Sequence, residues 1–286
     1  MLPEMRDRDG NPMHAVFGFA RFLGDLIERV RPRYIAVAFD QRRANSYRNR
    51  IYPPYKANRE RAPADLALQF ECCRELCRHL GLAAFVDPDF EADDIIGTLA
   101  TLMREEGVRS AFITRDKDLA QLVRAGDLFW DFGARAQFGY HDIERHFGVC
   151  PERFADYLAL TGDEVDNIPG VPGVGRRTAA SLMKAFASLD ELYADLSGVA
   201  RLKLRGAGTL GERLSVHRDS VYLARRLTHI ACDLRLGVDA EGLARRAPDL
   251  PALAHLYDRL GFGPFLRRQG ERLAQLPGTA TPLSAA

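Results

Sequence analysis

The sequence predicts an α/β protein, in which a parallel β-sheet is wrapped by helices and followed by an all-helical region. Short apolar runs rich in strand-forming residues recur along the first half of the chain, and segments of helical periodicity separate them. Strands that alternate with helices in this way are typical of a parallel sheet. After residue 150 the helical patterns continue, but no further strand pattern occurs.

Composition sets broad limits on the class of protein. The chain has 286 residues, of which 47% are hydrophobic, so it can bury a substantial core, and its net charge of +1 indicates no global basic field. The five cysteines are odd in number and favour neither a disulfide framework nor a zinc site. No apolar run approaches the ~20 residues that span a bilayer, and the N-terminus has no signal-peptide core. We expect a soluble cytoplasmic protein.

The change of pattern near residue 150 predicts the domain organisation. We expect a catalytic domain over residues 1–150 and a helical domain over residues 151–270. The small, polar C-terminal residues predict a disordered tail, which we place at 271–286.

The first helix is predicted at 14–30, where apolar residues recur at helical spacing between Pro12 and Pro32. A buried strand at 34–39 follows and ends on Asp40. A carboxylate at the carboxyl end of a buried strand lies where open α/β sheets bind their ligands. A polar loop residue or a helix cap is an equally good interpretation of Asp40 alone.

Residues 41–62 are strongly basic, with seven cationic side chains, one acid and three interleaved tyrosines. Cationic groups neutralise phosphates and aromatic rings can stack on bases, so this segment suits a nucleic acid. A solvated loop is the competing interpretation. The residues concerned are Arg42, Arg43, Arg48, Arg50, Lys56, Arg59 and Arg61, with Tyr47, Tyr52 and Tyr55.

Two further strand-to-helix passages carry acids. A helix from Pro63 to Gly81 and a strand at 83–86 precede a helix that opens with Glu91, Asp93 and Asp94. Acids in a first helical turn are often only dipole partners, an interpretation that weakens for three acids within four residues.

The next strand, at 110–114, runs into Asp116, Lys117 and Asp118. A helix is predicted from Leu119 onward. A terminal strand at 127–132 and a hairpin arm at 137–140 complete the predicted sheet region.

The helical region begins with a composite stretch. Asp163 and Asp166 lie three positions apart, and glycines then punctuate a turn before a basic helix start. Glycines permit close backbone approach, and a helix N-terminus attracts a phosphate, so the turn suits a nucleic-acid backbone without base readout. A plain glycine-rich connector is the alternative. The turn residues are Gly170, Gly173, Val174, Gly175, Arg176, Arg177 and Thr178, and helices are predicted at 151–161, 176–186, 188–195, 211–228 and near 251–260.

Taken together, eight carboxylates are expected to converge, because three of their four groups follow strands or begin helices at one edge of a sheet. Mg²⁺ prefers oxygen ligands, and so many acids would repel one another unless cations bound there. Two such ions about 4 Å apart can activate a water and stabilise a phosphoryl displacement. The constellation therefore predicts phosphodiester hydrolysis beside a cationic segment.

Five ordered motifs resemble those of the bacterial 5′-nuclease family, which includes the 5′-nuclease domain of DNA polymerase I and stand-alone flap endonucleases. The resemblance runs from about Gly10 to about Arg268, and it implies a PIN-like nuclease core for the predicted parallel sheet. The motifs are Phe39-Asp40, Tyr55-Lys-Ala-Asn-Arg59, Phe90-Glu-Ala-Asp-Asp94, Thr114-Arg-Asp-Lys-Asp118 and Thr161-Gly-Asp-Glu-Val-Asp-Asn-Ile-Pro-Gly170.

The resemblance implies a role for each matching residue. Asp40, Glu91, Asp93 and Asp94 would serve a first metal site, and Asp116, Asp118, Asp163 and Asp166 a second, each for Mg²⁺ or Mn²⁺. Arg48 and Lys56 would act at the scissile phosphate, and Tyr55, Arg59 and Lys117 would contact DNA. Residues 170–178 match the helix–three-turn–helix that grips duplex DNA, where the family also binds K⁺. The implied reaction is 5′-3′ exonuclease or 5′-flap cleavage in replication and repair, by a monomer associated with DNA polymerase I.

One departure leaves alternatives open. The family opens with a strand ending in an aspartate of the first metal site, and this sequence has no such strand before residue 14; neither Asp7 nor Asp9 replaces it. We expect a misplaced start, because the other eight acids remain. The alternative function is a protein that binds branched DNA and cleaves it weakly or not at all. A related ribonuclease is a third hypothesis, disfavoured by the helix–three-turn–helix.

Overall fold

The computed structural model describes residues 5–41, 46–60, 63–204 and 206–276. Three members of the predicted basic segment (Arg42, Arg43 and Arg61) and residues 277–286 of the predicted tail lie outside the described residues. No helix in the described part is long and apolar enough to cross a membrane.

The described chain contains thirteen α-helices and five β-strands. The helices are α1 (His14–Val30), α2 (Tyr47–Ile51), α3 (Ala64–His79), α4 (Ala92–Glu105), α5 (Tyr140–Phe147), α6 (Phe154–Thr161), α7 (Arg176–Ala185), α8 (Leu189–Ala194), α9 (Leu196–Val199), α10 (Ala207–Val216), α11 (Arg218–Thr228), α12 (Leu250–Arg259) and α13 (Pro264–Gln275). The strands are β1 (Ala36–Phe39), β2 (Ala83–Val86), β3 (Ala111–Ile113), β4 (Leu128–Asp131) and β5 (Ala136–Phe138). Three short 3₁₀ helices are Lys117–Leu122, Pro151–Arg153 and Glu241–Leu243.

The chain divides into two compact units, each assembled from separate stretches of sequence. The first comprises the described parts of Met1–Phe39, Glu60–Val86 and Leu236–Ala286. In it β1 and β2 pair in parallel, and α1, α3, α12 and α13 pack on one another. Helix α1 forms because Val16, Ala20, Leu23 and Ile27 recur on one face, and all four are buried.

The second unit comprises Asp40–Arg59 and Asp87–Arg235, again in their described parts. Strand β4 pairs in parallel with β3 and antiparallel with β5. Phe112 of β3 and Phe129 of β4 belong to the same hydrophobic cluster as Phe154, Leu158 and Leu182 of the following helices. Helices α6 to α11 thus share one core with this three-stranded sheet.

These observations confirm the predicted α/β class with its helical continuation. The strands were expected in one sheet, however, and the described strands form two: β1 with β2, and β3 with β4 and β5. Apolar runs in the sequence reveal that strands exist, whereas the pairing of one strand with another depends on contacts between distant segments.

Several helix boundaries differ from the prediction. The helix expected after Leu119 is a 3₁₀ helix capped by Asp116, and the helix expected at 211–228 is interrupted at His217. The short or strongly polar helices α2, α5, α9 and α13 were not predicted. Helix α13 continues to Gln275, which corrects the placement of residues 271–275 in the tail. It buries Leu266 and Leu273, so packing rather than composition decides this segment.

Candidate active site

Four acids from three separate stretches of the second unit approach one another; we call Asp40, Asp93, Asp116 and Asp118 the acidic rim. Asp93 lies in the first turn of α4. Burial, followed by the negative charges of Asp116 and Asp40, raises the pKa of Asp93 to about 8. Asp118 is subject to the same influences: burial and its neighbouring acids raise its pKa to about 6, although Lys117 opposes the shift. These effects show that the four rim acids lie close enough to influence one another, and their predicted role as metal ligands stays a prediction.

Local hydrogen bonds orient the rim. Asp40 directly follows β1, and its Oδ1 accepts a hydrogen bond from the backbone N–H of Ala92 at 2.7 Å, so it also caps the first turn of α4. Asp116 caps the 3₁₀ helix by accepting from the backbone N–H of Asp118 at 3.0 Å. The Oδ1 atom of Asp118 is buried and has no partner in good hydrogen-bond geometry, although it forms an ion pair with Lys117 Nζ at 3.2 Å.

Asp163 and Asp166 are held by a tight turn between α6 and α7. The backbones of Asp163 and Ile168 exchange two hydrogen bonds of 2.8 Å, and Asn167 adopts a left-handed conformation with φ of 57°. Asp163 accepts from the N–H groups of Val165 and Asp166, and from Lys117 Nζ. Burial opposes ionisation of Asp163, but Lys117 and these amides outweigh it and lower its pKa.

Cationic residues of the predicted basic segment lie against Glu91 and Asp166. Lys56 Nζ donates to Glu91 Oε1 at 2.8 Å and lies 3.7 Å from Asp166 Oδ2, and Arg59 donates to Asp166. The backbone N–H of Lys56, a residue with φ of 55°, donates to the carbonyl of Asp166 at 2.9 Å. Asp40, Lys56, Arg59 and Glu91 line one cavity. The cationic and acidic segments are thus assembled side by side, as the sequence predicts.

The sequence predicts that Tyr55 contacts DNA, but the structure gives its side chain a different place. Its side chain is buried, and its hydroxyl donates to Glu91 Oε2 at 2.8 Å and lies 3.3 Å from Asp166 Oδ2. Burial and the charge of Glu91 raise the pKa of Tyr55, which keeps the phenol protonated as a donor. Tyr55 therefore supports the acids rather than presenting a stacking face.

Arg48 and Asp94 also differ from their predicted roles. Arg48 is 2% exposed and Asp94 is fully buried, and the two are joined by hydrogen bonds of 2.6 and 2.8 Å. A side chain this buried is not placed to contact a DNA phosphate, which corrects the prediction that Arg48 acts at the scissile phosphate. The sequence missed Gln121, which is buried beside this pair, because a single glutamine in an apolar stretch gives no signal.

The glycine turn has two kinds of position. A Cβ on Gly170 would lie 2.3 Å from the carbonyl carbon of Thr161, so this glycine is required by close backbone packing. A Cβ on Gly175 would meet nothing within 4 Å, and the residue precedes α7, whose first residues Arg176 and Arg177 are exposed. Val174, in contrast, is 4% exposed and belongs to the core. Packing explains Gly170 and Val174, and leaves Gly175 and the two arginines available to a ligand.

The donor set fits a hard divalent cation. Among the described residues no three acid, histidine or cysteine side chains stand close enough to define a metal-ligand group. The acidic rim nevertheless offers carboxylate oxygens that repel one another, and one of them, Asp118 Oδ1, is buried without a hydrogen bond. Carboxylate oxygens are what Mg²⁺ prefers, and a bound cation would relieve both features.

Comparison with known proteins identifies relatives over nearly the whole chain. The family description "5′-3′ exonuclease, N-terminal resolvase-like domain" matches residues 1–148, and "5′-3′ exonuclease, C-terminal SAM fold" matches residues 149–251. A 5′-3′ exonuclease of Aquifex aeolicus is 32% identical over 93% of this chain and 88% of its own length. DNA polymerase I of Pseudomonas aeruginosa is 35% identical over 99% of this chain. The chain spans only 26% to 32% of the polymerases it matches.

Solved structures share the fold. The T5 5′-exonuclease with bound zinc superposes with a TM-score of 0.63 at 19% identity, covering 91% of this chain and 90% of the other. The catalytic core of Rad2 in complex with a DNA substrate superposes with a TM-score of 0.60 at 17% identity, covering 96% and 87%.

Proposed function

The chain belongs to the 5′-3′ exonuclease family, and from this premise we propose that it hydrolyses DNA phosphodiester bonds at a 5′ end or a 5′ flap with the help of divalent ions. The observation that carries the proposal is the mutual approach of Asp40, Asp93, Asp116 and Asp118, which three separate segments bring together. Lys56 and Arg59 stand beside Glu91 and Asp166 at the same site.

The metal sites fall into two groups of ligands. We assign the first to Asp40, Glu91 and Asp93, and the second to Asp116, Asp118, Asp163 and Asp166. Bound Mg²⁺ or Mn²⁺ would lower the pKa of a water molecule and stabilise negative charge on the phosphate oxygens. The rim acids would keep the ions in place, since carboxylates of this density are stable as anions only beside cations.

Cationic side chains would supply the remaining stabilisation. Lys56 and Arg59 can exchange their carboxylate partners for a phosphate, since both are at least partly accessible at the site. Their charge would orient the 5′ strand and offset the negative charge that develops during hydrolysis. Lys117 pairs with Asp118 and Asp163 and would bridge these two acids between turnovers, offsetting their mutual repulsion.

The start of α7 would hold the duplex. Arg176, Arg177 and Thr178 stand at a helix N-terminus, where free amides and the helix dipole favour a phosphate. Such contacts recognise the backbone and carry no base sequence. A K⁺ ion at residues 170–175 belongs to the same proposal, and a comparison of duplex binding in K⁺ and in Li⁺ would test it.

The cellular setting is proposed from the relatives. Proteins named DNA polymerase I carry this segment as part of a longer chain. We therefore propose that this chain acts as a monomer on cytoplasmic DNA during replication and repair, in functional association with such a polymerase.

Cleavage of a labelled 5′-flap substrate tests the function. The chain should cut near the junction of duplex and single strand in Mg²⁺, should cut an RNA flap less well, and should be inactive in EDTA. Asp163→Ala should abolish cleavage while leaving DNA binding intact. Absence of cleavage by the chain in both Mg²⁺ and Mn²⁺ would refute the proposal.

Binding of branched DNA without efficient cleavage is the second candidate. It is favoured by the ion pairs of Lys56, Arg59 and Lys117, which occupy acids that a metal would need. Tight flap binding together with no metal-stimulated cleavage would support it over the enzyme.

A further inference from the structure

We propose that Arg48, Asp94 and Gln121 form a buried positioning hub, which sets the orientation of the acidic rim and binds neither metal nor DNA itself. The inference rests on the proposed metal-dependent function and concerns how this chain holds its metal ligands.

Each carboxylate oxygen of Asp94 already accepts two hydrogen bonds. Its Oδ1 accepts from Arg48 Nη2 at 2.8 Å and from the backbone N–H of Ala231 at 2.9 Å. Its Oδ2 accepts from Arg48 Nη1 at 2.6 Å and from the backbone N–H of Glu91 at 3.1 Å. Four donors on two fully buried oxygens leave Asp94 unsuited to hold a cation as well.

The donors of Arg48 are occupied to the same extent. Besides its bidentate pair with Asp94, Nε donates to the carbonyl of Leu227 and Nη2 to that of His229, both at 2.8 Å. Nη1 also lies 3.3 Å from Glu91 Oε2. A guanidinium has five N–H groups; four of them donate hydrogen bonds here, and the second N–H of Nη1 lies on the side of the Glu91 carboxylate, so Arg48 has little capacity left for a phosphate.

Gln121 also bonds to backbone groups, at the end of α11 and just after it. Its Nε2 donates to the carbonyl of Thr228 and its Oε1 accepts from the N–H of Ile230, each at 3.0 Å. With the bonds from Arg48 and Asp94, side chains of the hub satisfy one backbone group of every residue from 227 to 231. The carbonyls of Leu227 and Thr228 belong to the last turn of α11, and residues 229–231 are irregular, so these side chains replace backbone bonds that neither a helix nor a strand supplies.

The hub touches two of the elements that carry the rim, the start of α4 and the 3₁₀ helix. Asp94 accepts a hydrogen bond from the N–H of Glu91 at the start of α4, and Asp93 directly precedes Asp94 in the chain. Gln121 donates to the carbonyl of Asp118 at 3.0 Å, and Arg48 belongs to α2, which leads into Lys56. The segment 227–231 therefore joins α2, α4 and the 3₁₀ helix through buried hydrogen bonds. A change in the hub would move several ligands at once without removing any.

The test measures Mn²⁺ binding to the full chain without DNA, by the electron paramagnetic resonance signal of free Mn²⁺. Arg48→Met, Asp94→Asn, their double variant and Gln121→Met are compared with Asp116→Asn, and circular dichroism confirms that each is folded at the temperature used. Outer partners of metal ligands usually alter affinity by about 10- to 100-fold. We expect such a loss of Mn²⁺ affinity in Arg48→Met and in Asp94→Asn, and a smaller loss in Gln121→Met. The double variant should bind Mn²⁺ at least as tightly as the weaker-binding single variant.

The possible results separate the readings. Weakened Mn²⁺ binding in Asp94→Asn but not in Arg48→Met would make Asp94 a direct ligand and overturn the hub. Loss of stability with unchanged Mn²⁺ binding in all hub variants would make the cluster merely structural. If a single variant does not fold, the double variant, which leaves no buried charge unpaired, and the neutral Gln121→Met decide in the same way.

Two further readouts guard the interpretation. The salt dependence of DNA binding should be unchanged in Arg48→Met, and a slope reduced by about one phosphate contact would show that Arg48 binds DNA. Asp116→Asn serves as the check on the premise. Unchanged Mn²⁺ affinity in that variant would refute the proposed metal function itself, whereas loss there with no loss in the hub variants refutes only the hub.

Discussion

Asp93 and Asp94 are neighbours in the chain, yet they lie in two regions of opposite character. Asp93 faces the acidic rim, where Asp116 and Asp40 raise its pKa to about 8. Asp94 faces the hub, where Arg48 and two backbone amides neutralise its charge at full burial. The rim concentrates negative charge that Lys117 offsets only in part, and the hub holds charge that is fully matched. The comparison teaches that partners, rather than burial, decide whether an acid serves binding or structure.

Loss of one charge should lower the unfolding free energy more in the hub than in the rim. Arg48→Met leaves Asp94 buried and unpaired, and breaking such a pair usually costs about 3–5 kcal/mol of unfolding free energy. Asp116→Asn, which removes a repulsive charge from the rim, should leave stability equal or higher. Urea unfolding in EDTA compares the two, and equal losses would erase the distinction between the regions.

The rim should respond most strongly in catalysis. Asp116→Asn should reduce single-turnover cleavage of a 5′ flap by about 100-fold or more, the scale on which preorganised electrostatic groups act. DNA affinity in EDTA should be unchanged or improved, because a negative charge near the phosphates is gone. If binding and cleavage fell by the same factor, Asp116 would be a substrate contact instead.

The pH dependence of stability should distinguish acids within the site. The folded pKa of Asp93 is raised, so its stabilising contribution is present below about pH 4 and is lost as the pH rises through about 8. In EDTA this should lower the unfolding free energy by at most about 2 kcal/mol between about pH 6 and pH 8. Asp93→Asn should flatten that fall.

Asp163 provides the contrasting case. Its pKa is lowered after Lys117 and two amides outweigh burial, so its contribution is present above the ordinary carboxyl pKa and is lost as the pH falls. Asp163→Asn should therefore reduce stability at neutral pH and leave it unchanged in acid. If the unfolding free energy of Asp93→Asn still declined between about pH 6 and pH 8, the titration of Asp93 would not be its cause.

The smallest expected effect concerns the cations that face the rim. Lys56→Met keeps the side-chain stem and the left-handed backbone but removes the charge, so the salt slope of DNA binding should fall by about 0.7–0.9, one phosphate contact. Arg145→Met, at an exposed ion pair of α5, should leave the slope unchanged. A slope equal to that of the parent in Lys56→Met would assign Lys56 to the acids alone.

Much of the fold could be read from local patterns. The apolar run before Asp40 and the periodicity of α1 reflect rules that act within a few residues, and both elements occur where expected. The break at His217 and the helical state of residues 271–275 have no such local signal. They depend on which distant surfaces an amphipathic segment meets, so tertiary packing overrides the local pattern.

The sequence by itself determined the residue types of the site: acids after strands and at helix starts, a basic segment, and a glycine turn. Only the tertiary structure decided that Asp93 faces other acids while Asp94 faces Arg48, and that Lys56 reaches the site while Arg48 is enclosed. Adjacent residues of a helix point about 100° apart, so neighbours in sequence meet different surroundings. Those surroundings come from separate segments of the chain, and the glutamine that no motif marks is linked to residues more than a hundred positions away.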